Sequence, residues 1–332
     1  MAKTKINWLL ILQGWAMLWV VIGHSPLGEP ETGPEWENIL YHFAYSFHMP
    51  LFMLVSGWLF YRTRFGVKDS GGGGKKWTYP AIVKDKALRL LLPGLVFSVV
   101  ALVLKVFFPG EMSRQVGLNM NDIIHSYIYP YDNPFREIWF IVTLFWLFLM
   151  TPVWKLTLKK DSIMWGTVLL LIGFHVWNPK VEFLCIGNIF NYAIWFYLGL
   201  VISKTNAVEL LFMKSVPIAF LVGVAVYVLG LYTNEFLVKS GGIVFSFAIA
   251  LAADKYIPKL FISFRNYTYQ IFLMGIFAQI GLKILYRHIA MPYMLAFLLC
   301  VAVGLYVPVI ISKVAERINW IPLLMCMGLK KK

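Results

Sequence analysis

The stretch PYMLAFLLCVAVGLYVPVIIS, from Pro292 to Ser312, holds no acidic or basic side chain. A helix needs about 20 mostly apolar residues to cross the hydrocarbon core of a bilayer, and this stretch supplies them. Working outward from it, comparable segments recur near 7–24, 38–60, 88–108, 138–154, 162–178, 186–203, 213–232, 239–253 and 267–286. The segment 239–253 is the weakest, being short and opening on Gly241 and Gly242. Composition points the same way. Hydrophobic residues make up 60% of the 332 and charged residues 14%, against about 25% charged in soluble domains. Mean hydropathy is +0.71. Too few polar groups exist to coat a water-facing surface. The predicted fold class is an all-α integral membrane protein, a bundle of about ten transmembrane helices forming one domain over 1–332. No internal repeat is visible, and the longest loops, 61–87 and 109–137, are too short to fold alone.

The net charge is +14. In a soluble protein that would raise nucleic acid as a partner, but no helix-turn-helix or zinc-finger spacing supports it, and none is expected. The cations sort by loop instead. Arg62, Arg64, Lys68, Lys75, Lys76, Lys84, Lys86 and Arg89 fall in 61–89, Lys155, Lys159 and Lys160 in 155–161, and Lys255, Lys259 and Arg265 in 254–266. The chain ends Lys330-Lys331-Lys332. Alternate loops are acidic or nearly neutral; 25–37 carries Glu29, Glu31, Glu35 and Glu37 with no cation. Cytoplasmic loops carry the Lys/Arg excess, so both termini are expected in the cytosol, which an even span count also requires. The predicted location is a bacterial-type cytoplasmic (inner) membrane, with membrane lipid as a partner.

Cys185, Cys300 and Cys326 are too few and too scattered for a disulfide framework or a zinc site, and no metal is expected. The first apolar segment has no small-residue cleavage site after it and is expected to stay in place. The run Ser70–Lys76, with four consecutive glycines, predicts a flexible loop.

Ionisable residues inside spans are functional candidates by default. His24 ends the first span, and His48 lies about ten residues into the second, roughly 15 Å deep at 1.5 Å per residue. Gln13 lies mid-span in the first helix. The plainer account of a lone intramembrane histidine is an interhelical hydrogen bond. His42 reads as structural, and His125, His175 and His288 receive no role. Lys86 and Arg89 are spaced i, i+3, on one helix face, just before Leu90-Leu91-Leu92-Pro93. They suit a multiply phosphorylated ligand from the cytosol, or serve only as anchors to anionic lipid.

Several of these stretches resemble the acyltransferase-3 family of membrane proteins. Gln13-Gly14-Trp15 through Gly23-His24-Ser25 resembles its first helix. Phe47-His48-Met49-Pro50 through Val55-Ser56-Gly57-Trp58-Leu59-Phe60 looks like its second-helix signature almost residue for residue, and is the specific motif. Lys86-Ala87-Leu88-Arg89 before Pro93 is similar to its basic pair. Ile138-Trp139-Phe140-Ile141 and Asn191-Tyr192 through Leu198-Gly199 resemble later aromatic motifs.

The resemblance implies transfer of an acyl group, most often acetyl, from cytosolic acyl-CoA to a hydroxyl on the far side, on a surface glycan or lipid-linked sugar. Acetyl-CoA is then the expected donor. The resemblance offers His24 as general base, since a neutral imidazole takes a proton near neutral pH, or as carrier of an acyl-imidazole. His48 would orient the thioester, stabilise its oxyanion or hold helices together. Lys86 and Arg89, with Arg62 and Arg64, would bind the phosphates of CoA. Gln13, Ser56 and Trp139 accompany them in the motifs. The chain departs from the pattern at Gln13, where relatives carry Arg or Lys, and at Leu10, often Asp. Lys86 replaces a common Arg, and Phe272 and Met274 stand where Tyr and His are usual. Competing readings are a glycan or lipid carrier or flippase, and an inactive relative that only binds a ligand.

Overall fold

A computed structural model describes residues 6–28, 33–65, 78–108, 117, 119–208 and 212–329. Glu29, Glu31, Lys68, Gly71 to Gly74, Lys75, Lys76 and Lys330 to Lys332 lie outside the described residues. Among the described residues every regular element is a helix. In order these are α1 (Asn7–Gly23), α2 (Glu35–Phe60), α3 (Tyr79–Lys86), α4 (Leu92–Phe107), α5 (Met120–Ile128), α6 (Ile138–Leu149), α7 (Thr151–Thr157) and α8 (Asp161–Trp177). They continue as α9 (Ile186–Lys204), α10 (Val216–Thr233), α11 (Glu235–Tyr256), α12 (Thr268–His288), α13 (Tyr293–Ile318) and α14 (Ile321–Cys326). One-turn π-helical segments, Tyr61–Phe65 and Ala87–Leu91, extend α2 and join α3 to α4.

All ten predicted segments are helical, but they differ in length. Seven stretches are long and apolar enough to cross a membrane: Glu35–Phe65, Tyr79–Phe107, Phe183–Lys204, Val216–Thr233, Glu235–Tyr256, Thr268–His288 and Tyr293–Ile318. An eighth is broken, with α6 and α7 meeting at 52°. Pro152 lies in the first turn of α7, where a missing N–H costs least. The last two, α1 and α8, have 17 residues each, about 25 Å at 1.5 Å per residue. The weak segment 239–253 turns out to be the middle of the 22-residue α11. The Asn234 side chain accepts from the Leu237 N–H at 3.0 Å and starts the helix early. Gly241 does not break it. A Cβ there would lie 2.3 Å from the backbone nitrogen of Tyr227, so the glycine lets α10 and α11 approach closely.

The outward side chains are apolar. Leu169 is 70% exposed, Val176 75% and Leu221 65%. In water such a surface would aggregate; against lipid tails it is matched. The chain is a multi-pass membrane protein.

It divides into two compact units, Met1–Val55 with Thr205–Val314, and Ser56–Lys204 with Ala315–Lys332. In the first, Met17, Val20 and Val21 of α1 pack with Phe264, Ile271, Leu305 and Val309 into a buried core. One end of this unit joins the start of α1 to the α11–α12 connection. Arg265, counted by sequence among the cytosolic cations, is buried there. Its guanidinium donates to Asn7 Oδ1 at 2.7 Å and to the carbonyls of Pro258 and Leu260 at 3.0 Å. At the other end meet the close of α1, the start of α2, the close of α12 and the start of α13.

The second unit has an aromatic core. Phe60 lies 4.9 Å from Phe148 and 6.1 Å from Phe196 between ring centroids. Gly57, from the second-helix signature, has a packing reason: a Cβ would come within 2.0 Å of the Phe196 carbonyl oxygen.

Candidate active site

In the first unit α1 stops at Gly23, and its last carbonyls need partners. The N–H of His24 still bonds Val20 O at 3.1 Å. Val21 O accepts from Ser25 Oγ at 2.7 Å and from Gln279 Nε2 at 2.8 Å, and Gln279 also reaches Ser25 Oγ at 2.9 Å. The carbonyl of His24 accepts from Lys283 Nζ at 3.0 Å. A cation at a helix C-terminus complements the helix dipole. The backbone carrying His24 is thus held by two side chains of α12. The ring is half-buried, with Nδ1 3.4 Å from the Tyr45 hydroxyl. With the proton on Nδ1, Nε2 keeps its lone pair and is the basic nitrogen.

Glu37 lies at the same end. By sequence it belongs to a solvated acidic loop; in the structure it is 2% exposed, in the first turn of α2. The Tyr293 hydroxyl donates to its Oε2, and its Oε1 has no hydrogen-bond partner among the described residues.

His48 is 2% exposed. Its Nδ1 bonds the carbonyl of Ala44, one turn back on α2, and a carbonyl only accepts, so Nδ1 carries the proton. The Tyr45 ring stands edge-on to it at 5.1 Å. These contacts fit a histidine that satisfies itself within its helix. The bond from His175 Nδ1 to Asn191 O, 2.7 Å, is also structural.

In the second unit the cations gather on the two π turns, which are rare and frequent at functional sites. Asp85 holds two of them together. Its Oδ2 accepts from Arg64 at 2.6 Å and its Oδ1 from Arg89 Nε at 2.8 Å. Arg64 and Asp85 are 11% and 12% exposed, whereas Arg89 is 51% exposed. A π turn, Ala87–Leu91, begins between Lys86 and Arg89. The Lys86 ammonium lies 3.8 Å above the Phe148 ring. Arg62 lies 5.2 Å from the Trp58 ring, and Lys155 5.7 Å from that of Phe65. Three cation-rich segments, 61–65, 84–89 and the start of 155–161, therefore meet at one end of this unit.

Of the remaining expected residues, Gln13 is half-buried on α1 and Ser56 half-buried on α2. Trp139, half-buried, opens α6 beside the rings of Tyr131 and Tyr192. Beside it burial pushes the Glu137 carboxyl above the usual carboxylate range and raises the Tyr131 hydroxyl. Among the described residues no group of three His, Cys, Asp or Glu side chains could hold a metal.

Sequence reasoning passed over Tyr45, Gln279, Lys283 and Asp85. Lys283 carried a legible signal, a cation within the predicted span 267–286. Asp85 was the lone acid among the basic residues of 84–89. Nothing local marks Tyr45 among its neighbours.

Residues 6–313 match the family model described as an acyltransferase domain, acyltransferase-3. The nodulation protein NolL of Mesorhizobium japonicum is 26% identical over 199 residues, which cover 54% of this chain and 48% of that protein. The matched region thus spans about half the length of this curated relative. No solved structure matches the chain.

Proposed function

Because the chain belongs to the acyltransferase-3 family, and is thereby a membrane acyltransferase, we propose that it moves an acetyl group from cytosolic acetyl-CoA to a hydroxyl of a surface or lipid-linked glycan. One observation carries the chemistry: His24 follows a helix whose Val20, Val21 and Ile22 carbonyls all have partners, with Nδ1 near a tyrosine hydroxyl and the ring half-buried. Its Nε2 takes the proton of the acceptor hydroxyl as the oxygen attacks the thioester carbonyl. The C–O bond forms, the C–S bond breaks, and the departing thiolate takes the proton back from the imidazolium. General-base help of this kind is worth about 10²–10⁴-fold.

Arg64 and Arg89, spaced by Asp85, with Arg62 and Lys86, are suited to the phosphates of CoA through charge-assisted bonds. The meeting of three cation-rich segments supports a single cytosolic end for the second unit. A carrier is less well supported: transporters place broken spans in matching halves, and among the described residues one broken span, α6–α7, is found.

Membranes containing the protein, given [14C]acetyl-CoA and envelope glycan stripped of esters by mild base, are expected to place base-labile label in the glycan. Label no higher than in membranes lacking the protein would overturn the acceptor. Orientation has its own test. A Lys75→Cys variant, with Cys326→Ser to lower background, is expected to resist an impermeant thiol reagent in intact cells. Efficient labelling would reverse the assigned direction of transfer.

A further inference from the structure

The second unit has another pole. Along α6, Trp139 lies roughly 14 Å from Phe148, the ring under Lys86, at 1.5 Å per residue. Cations give way there to flat rings and amides. Trp139 lies beside both Tyr131, at 6.0 Å with planes 18° apart, and Tyr192, at 5.5 Å and 33°. The three rings come from three elements: the Pro130–Asp132 turn, α6 and α9. All three are half-buried.

A hydrogen-bond lock fixes the row. Asn188, one turn before Tyr192 on α9, bonds the Tyr131 hydroxyl through Oδ1 at 3.0 Å and through Nδ2 at 2.8 Å. Its Nδ2 also reaches Thr143 Oγ1 at 3.2 Å, and Thr143 donates to Trp139 O at 2.8 Å. An interfacial aromatic belt asks only that rings sit at headgroup depth. It does not ask that Tyr131 and Trp139 be nearly parallel, or that the Tyr131 hydroxyl be pinned by an amide.

Polar groups neighbour these rings along the chain. Asn191, on α9 beside Tyr192, has a buried Oδ1 with no hydrogen-bond partner among the described residues. Glu137 is half-buried with Arg136 as its charged neighbour, and the Arg136 guanidinium lies 6.0 Å from the Tyr131 ring. A buried amide oxygen such as that of Asn191 costs free energy until something bonds it. A sugar ring offers both halves of the complement. Its C–H face packs on aromatic planes, and its hydroxyls pair with amides and carboxylates.

We propose that Tyr131, Trp139 and Tyr192, with Asn188, Asn191 and Glu137, form a saccharide subsite that holds the acceptor chain, apart from the cation cluster that takes the donor. This rests on the reading of the protein as an acetyltransferase acting on a glycan. With the cation pole in the cytosol, the subsite faces outward, where the acceptor is.

The test uses the full chain in nanodiscs, with base-stripped envelope glycan as the probe and [14C]acetyl-CoA as donor, each titrated against the other. Trp139→Ala is expected to raise the half-saturating glycan concentration at least about tenfold, as loss of a central aromatic contact does, with that of acetyl-CoA unchanged. Trp139→Phe, which keeps a ring, should stay near wild type. Should Trp139→Ala not fold, Glu137→Gln, nearly isosteric, is expected to weaken the glycan several-fold and leave the donor alone. A wild type that labels glycan, with these variants unchanged or with both substrates weakened together, overturns the subsite and leaves the function standing. A wild type that labels no glycan overturns both.

Discussion

His24 and His48 flank the same tyrosine, with ring centroids 5.8 and 5.1 Å from Tyr45. Both stand in stretches that carry the family's sequence pattern, yet the structure holds them in opposite ways. At His24 the backbone is fixed by Gln279 and Lys283. At His48 the ring itself is committed to the carbonyl of Ala44, and the side chain is nearly sealed. A proton-transfer base has to be reachable, and His24 is half-buried whereas His48 is 2% exposed. The difference between these sites therefore lies in what secures the surrounding backbone, not in the motifs.

The comparison breaks if the wrong histidine is silent. His24→Ala is expected to lower the acetyl-transfer rate by about 10²–10⁴-fold, with the variant still inserted and of unchanged melting temperature in detergent. Transfer within about threefold of wild type would remove His24 from the base role, given that range.

Next in size is a contrast with the donor side. On the proposed reading, Arg89→Ala would remove one charge-assisted phosphate contact, worth about 1.5–3 kcal/mol. Half-saturating acetyl-CoA should rise about tenfold or more, while acetyl-pantetheine, which lacks the nucleotide, changes far less. An equal loss with both donors would make Arg89 a lipid anchor or a support for Asp85.

Tyr45→Phe sharpens the comparison at its shared residue. Its hydroxyl is 3.4 Å from His24 Nδ1, a long bond, so the expected loss is in kcat and only a few-fold, about 1 kcal/mol. A rise in either half-saturating concentration with kcat intact would place Tyr45 on a substrate instead. The smallest effect belongs to His48→Leu. Transfer should stay near wild type, and stability should fall by about 1 kcal/mol or less, typical of intramembrane polar contacts, read as a lower melting temperature. A loss as large as that at His24 would mean that His48 takes part in the reaction.

Much of this was legible before any coordinates. The ten helical segments follow from runs of apolar residues, and His24, Arg89 and Trp139 stand out by their motifs. Misjudgements had local causes. Gly241 and Gly242 looked like a weak span because a helical glycine normally destabilises, whereas here it marks close packing. Arg265 looked like a solvated topological cation and is a buried clamp. Glu37 looked like a loop carboxylate and is sealed against Tyr293.

Run length and composition determine that this chain lives in a membrane as a helix bundle, because matching an apolar solvent is a property each segment satisfies alone. What packing alone decides is which groups become partners. Lys283 lies 259 positions from the carbonyl it holds, and Tyr131 57 from Asn188. Arg64 reaches the local Asp85–Arg89 pair across 21 positions. A hydrogen bond requires two distant segments within about 3 Å, and no stretch of sequence carries that distance.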